Sequence, residues 1–370
     1  MKKAMKCFTV LLLALLFAMA ANPVSVHAID IAAQAAIVMD FETGEILFQR
    51  DIHTPRVPAS MTKAMTAFVV FEEIEAGNLS LDTLIPISTN AARISSDTNM
   101  QGAPFPLAVG SYHTVDMLLH LALLPSSNGA CVALGEYISG TEAAFAVRMN
   151  ESAAAIGMFS QFTNAHGAIA HYTNVYSIAV LVREFIYRYP DILHITGASY
   201  VNFGGVRRNN TNQLLTVRPY AGADGFRTGT TREAGWCLAA TAYRDGRRII
   251  AVVMNAPNND RRYSDSITLL DFGFAEMERR DEARAQALRR SQIQIIHEGD
   301  AIAFNIPPRI VNNHAMAPAQ ELFKALGVYT LDIQPQIIDG VEFVPVRAVA
   351  YALNLQVVWD SETRTVTIAN

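Results

Sequence analysis

The sequence predicts an α+β protein in which a larger domain of helices and strands precedes a small α+β domain built from a repeat. Two observations support the larger domain. Apolar strand-like runs are joined by glycine-containing turns, and longer helical patterns lie between them. The third observation concerns the tail, where prolines separate short apolar runs and one segment recurs after 27 residues.

The first 28 residues have the pattern of a secretory signal. Lys2, Lys3 and Lys6 precede an apolar run from Phe8 to Ala21, and residues 26–28 place small side chains where a signal peptidase reads them. The run is too short for a stable membrane span, although a retained anchor is the alternative. We therefore expect an exported protein, extracellular or associated with the cell wall or surface, whose mature chain has no membrane helix.

Charge and composition exclude several function classes. The formal net charge is −5, and cleavage of the leader would remove three lysines and no acid. No basic stripe is present, so we expect no nucleic-acid partner. The nine histidines include no metal-ligand spacing, so we expect neither metal nor cofactor. Cys131 and Cys237 lie in apolar settings and are expected to be buried thiols. His166 is expected to make local hydrogen bonds, with a place in the cleft as the alternative.

The larger domain, expected over residues 29–277, begins with a hairpin. Residues 36–40 and 45–48 are its strands, and Gly44 marks the turn. A helix is predicted from Ser60 to Glu75. Further elements are a helix over 115–124, strands over 236–241 and 248–254 joined by a turn at Asp245–Gly246, and a helix over 264–277.

The tail differs from the larger domain in its composition and residue pattern. Residues 278–300 include a charged, helix-favouring stretch that we interpret as a linker. Residues 301–370 form the predicted small domain. In it, residues 312–326 align with 339–353, and each copy reads as turn, short strand, proline and amphipathic helix. A final hairpin is expected at residues 356–368, with its turn at 360–363.

Three short strings carry the candidate chemistry. In the first, Ser60-Met61-Thr62-Lys63, a serine and a lysine one helical turn apart lie on the same face. Serine becomes a nucleophile when a base removes its proton. Lysine can be that base when burial or a nearby cation depresses its pKa, and Arg227 could be that cation. Taken alone, the string also fits a helix cap with a surface lysine.

The second and third strings supply the remaining polar groups. Ser126-Ser127-Asn128 offers a hydroxyl that could relay a proton and an amide that could hold a substrate backbone, although it also fits a turn or cap. Arg227-Thr228-Gly229 is expected on an edge strand beside the nucleophile. There the arginine and threonine could grip a carboxylate, and the glycine could admit the substrate backbone. An ordinary surface strand is the alternative.

With these strings in this order, residues 32–277 resemble the low-molecular-mass penicillin-binding proteins that are serine D-alanyl-D-alanine carboxypeptidases of the peptidase S11 family. The resemblance implies a β-lactamase/DD-peptidase-like fold, an antiparallel sheet flanked by helices with a helical subdomain. The flanking strings that share the pattern are residues 58–63, 224–231, 234–236 and 269–274.

The resemblance also implies a reaction. Ser60 would attack the bond between the two terminal D-alanines of a peptidoglycan stem peptide, with Lys63 as base and Ser126 as proton relay. The backbone N–H groups of Ser60 and Thr230 would form the oxyanion hole. β-Lactams would acylate the same serine. The third string usually begins with lysine in this family, and Gly129 stands where an acid usually follows the second string.

The tail, from about residue 302 to 370, resembles the copper amine oxidase N-terminal-like domain of exported Gram-positive proteins. Its single histidine, His314, offers no copper site. Contact with the cell wall through this domain is a hypothesis.

Two other functions remain open. A β-lactamase shares the strings, but no E-x-x-L-N string lies between Asn128 and Arg227 to supply a class A deacylation base. A wall-binding or β-lactam-binding protein without turnover is the non-enzyme alternative, and it is motivated by Arg227.

Overall fold

The computed structural model describes residues 29–98, 105–291, 293–329 and 331–369. The predicted signal segment lies outside these residues. Contacts divide the chain into two compact units, Met1–Phe274 and Ala275–Asn370. The mixture of helices and an antiparallel sheet confirms the α+β prediction.

Strands and helices alternate irregularly along the first unit. The strands are β1 (Ala35–Asp40), β2 (Ile46–Arg50), β3 (Leu84–Pro86), β4 (Tyr112–Thr114), β5 (Ser160–Gln161), β6 (Tyr172–Thr173), β7 (Tyr200–Phe203), β8 (Val206–Asn209), β9 (Ala223–Thr231), β10 (Gly235–Arg244) and β11 (Arg247–Ala256). The helices are α1 (Thr62–Glu75), α2 (Thr89–Ser96), α3 (Val115–Leu123), α4 (Asn128–Ser139), α5 (Glu142–Ala155), α6 (Val175–Arg188), α7 (Ile192–Thr196) and α8, which starts in this unit and spans Asn259–Ser291.

The principal sheet is antiparallel, with the strand order β2-β1-β11-β10-β9. Its inner strands are buried on both faces, which explains their nearly continuous apolar sequence. Alternate residues such as Ile37 and Val252 join the core that includes helices α1 and α6. Strand β9 lies at the edge, as expected for the string that begins at Arg227.

A helical region lies beside the sheet and is centred on α4. This helix contacts α1, α2, α3 and α5. Ser127 begins it by accepting a hydrogen bond from the N–H of Ala130 at 3.2 Å, and Pro125 separates it from the end of α3. The second string therefore lies where two helices meet, and its short polar side chains occupy the start of a buried helix.

Two local predictions differ from the structure in extent. Ser60 lies on a 3-10 turn, Ala59–Met61, and the α-helix starts at Thr62. Helix α8 is longer than the expected 264–277, because its charged second half continues the helical pattern. All three predicted hairpins are confirmed, and Asp245 and Gly246 at the β10–β11 turn both have positive φ.

The second unit contains the predicted repeat. Strands β14 (Arg309–Val311) and β15 (His314–Pro318) with helix α9 (Ala319–Ala325) recur 27 residues later as β16 (Gln336–Ile338), β17 (Val341–Pro345) and α10 (Val346–Ala352). They form one sheet in the order β14-β15-β17-β16. Ala317 pairs with Val344, its counterpart in the other copy, so the two hairpins are related by a local two-fold axis. The remaining strands form a second sheet: β12 (Gln294–His297), β13 (Asp300–Ala301), β18 (Gln356–Asp360) and β19 (Thr365–Ala369).

Strand β12 lies within residues 278–300, the segment interpreted as a linker, and pairs in parallel with β19. Among the residues that the structure describes, no helix is both long and apolar enough to span a bilayer.

Candidate active site

The first and second strings meet at Ser60. The Lys63 Nζ atom lies 2.9 Å from Ser60 Oγ, and Ser126 Oγ lies 3.2 Å from the same oxygen. Ser126 has a φ of 74°, an uncommon value for a residue with a side chain, and this places its hydroxyl at the end of the buried α3–α4 junction. Ser60, the candidate nucleophile, therefore contacts both a candidate base and a candidate proton relay.

Lys63 is completely buried, which accounts for its electrostatics. Burial, together with the positive charge of Arg227, lowers the pKa of its ammonium group to about 7. The Nζ atom also donates a 2.7 Å hydrogen bond to the backbone carbonyl of His166. Burial and Arg227 thus both act on this pKa in the direction that the sequence analysis expects, and a neutral amine able to accept a proton is accessible near neutral pH.

A loop around His166 supports the turn that carries Ser60. The Asn164 side chain accepts a hydrogen bond from the Gly167 N–H at 2.7 Å, and a Cβ atom at Gly167 would lie only 1.9 Å from the Ala59 carbonyl oxygen. This glycine therefore allows the loop to pack directly beneath the nucleophile. The His166 ring is buried and accepts from the Ala168 N–H, so its role is local, as expected.

His166 also lies close to a carboxylate without forming an ion pair. Its Nε2 atom is 3.4 Å from the Glu142 carboxylate, but burial, together with the charge of Lys63, lowers the pKa of the imidazole to about 3. Because Nδ1 accepts a hydrogen bond, the neutral ring carries its proton on Nε2, facing Glu142. The His166 imidazole thus holds the loop through hydrogen bonds of a neutral ring and adds no positive charge next to Lys63.

Arg227 is the largest fully buried side chain of the site, with 1% exposure. One terminal nitrogen, Nη2, donates to Ser126 Oγ. The other, Nη1, donates to Thr211 Oγ1 at 2.8 Å and to Thr228 Oγ1 at 3.3 Å. The guanidinium group is therefore directed to three hydroxyls of the chain itself, and its positive charge lies behind the surface of the cleft.

Strand β9 packs closely along the turn that carries Ser60. A Cβ atom at Gly229 would lie 2.5 Å from the Pro58 carbonyl oxygen, so glycine is required for this approach. Thr230 Oγ1 accepts a 3.0 Å hydrogen bond from Arg262. Asn128 occupies the first position of α4 and is 7% exposed.

Several of these residues border one cavity of about 790 Å³. The members of the three strings on its wall are Ser60, Ser126, Thr228 and Gly229, and Thr230, which follows the third string, also lines it. The cavity lining does not include Lys63, Asn128 or Arg227. The sequence did not indicate the other polar wall residues that contact them. Among these, Thr211 bonds to Thr228, and Arg262 bonds to Gly229 and Thr230.

Arg262 comes from the first turn of α8, more than 30 residues beyond the third string. Its guanidinium lies 4.9 Å from the centre of the Trp236 ring, and burial lowers its pKa. A single arginine within a charged helix gives no motif, so only the tertiary structure places it in the cleft. Together with the threonine hydroxyls, it makes this end of the cavity suited to an anionic group.

Cys131 and Cys237 are buried free thiols, which confirms the expectation from their apolar settings. Burial raises the pKa of each to about 11. Across the described ranges, no cluster of three or more His, Cys, Asp or Glu side chains could hold a metal ion.

Comparison with known proteins agrees with this geometry. The family model described as D-alanyl-D-alanine carboxypeptidase (peptidase S11) matches residues 22–258. The D-alanyl-D-alanine carboxypeptidase DacF of Bacillus subtilis is 33% identical over 257 residues, which cover 66% of this chain and 63% of that protein. The chain thus spans less than two thirds of the length of this relative.

Solved structures give the same result. Penicillin-binding protein 6B from Escherichia coli is 31% identical, with a TM-score of 0.62 over 68% of this chain and 80% of that one. Penicillin-binding protein D2 from Listeria monocytogenes, in its ampicillin-bound form, is 30% identical, with a TM-score of 0.58 over 66% of this chain and 98% of that one. The predicted DD-peptidase-like fold is confirmed.

The tail matches a second family model, described as the copper amine oxidase N-terminal domain, over residues 328–370. That segment contains no histidine, cysteine or methionine, so its donor atoms do not fit copper. The serine–lysine–serine arrangement, the match over most of the larger unit and the shared fold lead to one assignment: the chain belongs to the peptidase S11 family of D-alanyl-D-alanine carboxypeptidases.

Proposed function

We propose that this chain is a serine D-alanyl-D-alanine carboxypeptidase that removes the terminal D-alanine from peptidoglycan stem peptides. The observation that carries the proposal is the position of Ser60 Oγ at the cavity wall, 2.9 Å from Lys63 Nζ and 3.2 Å from Ser126 Oγ. The names of the relatives support the same activity.

In the proposed mechanism, neutral Lys63 removes the Ser60 proton as Oγ attacks the carbonyl carbon between the two D-alanines. The backbone N–H groups of Ser60 and Thr230 stabilise the negative charge that develops on the carbonyl oxygen. Ser126 passes a proton to the leaving nitrogen, the C–N bond breaks and D-alanine departs. Water then hydrolyses the ester on Ser60.

The substrate contacts are proposed from the cavity wall and, for Asn128, from the family resemblance. By that resemblance, Asn128 holds the amide backbone of the substrate beside Ser126. The terminal carboxylate lies at the end of the cavity formed by Thr228, Gly229 and Thr230, with the charge of Arg227 behind it. Arg262 donates a hydrogen bond to Thr230 Oγ1 and so places a second positive charge at the same end. β-Lactams, which carry a carboxylate and a strained amide, acylate Ser60 in the same position.

One assay separates this activity from its alternatives. Purified full-length protein is incubated with a pentapeptide ending in D-Ala-D-Ala, and D-alanine is measured beside labelling by a fluorescent penicillin. A carboxypeptidase releases D-alanine over many turnovers, and Ser60→Ala loses both release and labelling. Labelling without release would instead identify a β-lactam-binding protein, and sustained nitrocefin turnover would identify a β-lactamase.

We further propose that the protein is exported and that its C-terminal unit contacts the cell wall. Export is supported by the pattern of residues 1–28. A groove of about 340 Å³ on this unit supports wall contact. It is lined by Trp359, Arg347, His314 and Asn313 together with six apolar residues, Ile310, Ala315, Pro345, Val346, Val357 and Val366. An aromatic ring beside cationic and amide side chains suits a sugar chain that bears carboxylates.

The repeat provides a reason to consider this groove functional. By the 27-residue offset, Arg347 corresponds to Gln320, His314 to Val341 and Asn313 to Gly340. The two copies share a fold but differ at these three positions. The groove side chains are therefore not needed to form the fold of the repeat.

Sedimentation with purified peptidoglycan sacculi tests wall contact. The full chain is used as Ser60→Ala, so that turnover does not alter the sacculi. We expect it to co-sediment and the added Trp359→Ala change to weaken this, while Tyr329→Ala, at a side chain 98% exposed, has no effect. If both variants sediment equally, or if the Ser60→Ala parent does not sediment at all, the groove is excluded as the site of wall contact.

A further inference from the structure

Thr211 connects Arg227 to Thr228 through its side chain. Its Oγ1 atom lies 2.8 Å from Arg227 Nη1 and 2.7 Å from Thr228 Oγ1. Thr211 and Thr228 both line the cavity, whereas Arg227 is buried behind it. The threonine therefore lies between a buried cation and a hydroxyl on the wall of the cleft.

The guanidinium restricts how these hydroxyls are arranged. It has only donor hydrogens, so Thr211 Oγ1 and Thr228 Oγ1 both accept from Arg227 Nη1, at 2.8 Å and 3.3 Å. Between the two threonines, either oxygen can be the donor. In the arrangement in which Thr211 donates, Thr228 Oγ1 accepts from both groups, and its own proton is free for a group in the cavity.

We propose that Thr211 is a positioning residue. It accepts a hydrogen bond from Arg227 and donates one to Thr228, and this turns the Thr228 proton toward the terminal carboxylate of the substrate. This inference rests on the proposed carboxypeptidase and penicillin-binding activity. Thr211 needs no contact with the scissile bond, since it acts through the hydroxyl beside it.

Arginine is suited to this arrangement because its two terminal nitrogens diverge. Nη2 donates to Ser126 while Nη1 donates to Thr211, so one side chain orients hydroxyls at both ends of the site. A lysine ammonium at the same position would donate from a single atom. The contribution of Thr211 is therefore expected to depend on arginine at position 227.

The backbone of Thr211 is anchored independently of its hydroxyl. Its N–H donates to the Leu124 carbonyl at 3.1 Å, and its carbonyl accepts from the Tyr263 hydroxyl at 2.8 Å. Thr211→Val removes only the hydroxyl and retains the branched shape, so the loop is expected to stay in place. Thr211→Ser is the matched control, because it retains the hydroxyl.

The test compares acylation by benzylpenicillin, whose carboxylate is free, with acylation by its methyl ester. Second-order acylation rate constants are measured for the wild type, Thr211→Val and Thr211→Ser, with melting temperatures as a check on folding. We expect Thr211→Val to lower the rate with the free acid about fivefold, the factor associated with one hydrogen bond, and to change the rate with the ester less than twofold. Thr211→Ser should stay near the wild type.

Each other outcome has a definite meaning. An equal loss with both compounds would show a general structural role and overturn the inference, as would no loss with the free acid. In an Arg227→Lys background, the added Thr211→Val change should cost less than twofold, and a full loss there would also overturn it. Failure of the wild type to be acylated by the free acid would instead overturn the proposed function, and the inference with it.

Discussion

The Arg227 guanidinium donates a hydrogen bond to the hydroxyl of Ser126. Since arginine cannot accept a hydrogen bond, the Ser126 oxygen is the acceptor and its own proton is left to point at Ser60 Oγ, 3.2 Å away. Ser60 can then donate to neutral Lys63. The arginine thus sets the direction of a chain of hydroxyls that ends at the candidate base.

Substitutions at Arg227 separate the effect of its charge on activity from the effect of its hydrogen-bond geometry. Arg227→Lys retains the positive charge and can still reach one hydroxyl, so we expect the kcat/KM for D-alanine release to stay within about tenfold of the wild type. Arg227→Gln removes the charge from a buried site and should lower kcat/KM about a hundredfold or more. Similar losses in the two variants, measured on the pentapeptide, would show that charge is not the property that matters.

The pH dependence of acylation should report Lys63. Its pKa is lowered to about 7 by burial and by the charge of Arg227, and only the neutral amine can accept the Ser60 proton. The rate of penicillin acylation should therefore rise with pH up to about 7 and level off above it.

Removal of the neighbouring cation provides the control for this profile. In Arg227→Gln the pKa of Lys63 should increase, which moves the inflection to higher pH, whereas Arg227→Lys should leave it nearly unchanged. An inflection near the ordinary lysine pKa in the wild type would contradict the lowered pKa of Lys63.

Arg262 should contribute to substrate binding. Arg262→Gln removes a charge that bonds Thr230 and stacks on Trp236, so we expect kcat/KM for the pentapeptide to fall about tenfold, mainly through a higher KM. Arg218→Gln serves as the control, because Arg218 forms an ion pair with Asp260 at the surface. Equal effects of the two changes on KM would argue against a specific role for Arg262.

Gly129 should be required for helix packing. A Cβ atom there would lie 2.4 Å from Ser95 Cβ and 2.6 Å from the Ala91 carbonyl oxygen, so Gly129→Ala must push α4 away from α2. We expect the free energy of unfolding to decrease by about 1–3 kcal/mol in urea denaturation. This close approach also explains why the acid usual at this position in the family has no room here.

Gly140→Ala gives the comparison for this effect. Gly140 has a φ of 78° with no other atoms within 4 Å of the added carbon, so its replacement strains the backbone without a clash. Both variants should be less stable than the wild type, but only Gly129→Ala should also lower activity, because α4 carries Asn128. Unchanged activity in Gly129→Ala would show that the helix can shift without disturbing the site.

Much of the secondary structure could be predicted because its causes are local. Turn residues and apolar runs defined the β1–β2 and β10–β11 hairpins, and the 27-residue recurrence defined the two copies in the tail. The length of α8 was underestimated, because a charged helical surface is difficult to distinguish from a linker by pattern alone.

The sequence by itself determined the three strings, their order and the family to which they belong. It also placed Ser60 and Lys63 one turn apart, since that spacing depends only on helix geometry. The tertiary structure decided the rest. The pKa of Lys63 depends on burial beneath a loop that contributes His166 from over 100 residues away. Thr211 and Arg262 join the third string only through folding, because contacts between distant segments leave no local pattern in the chain.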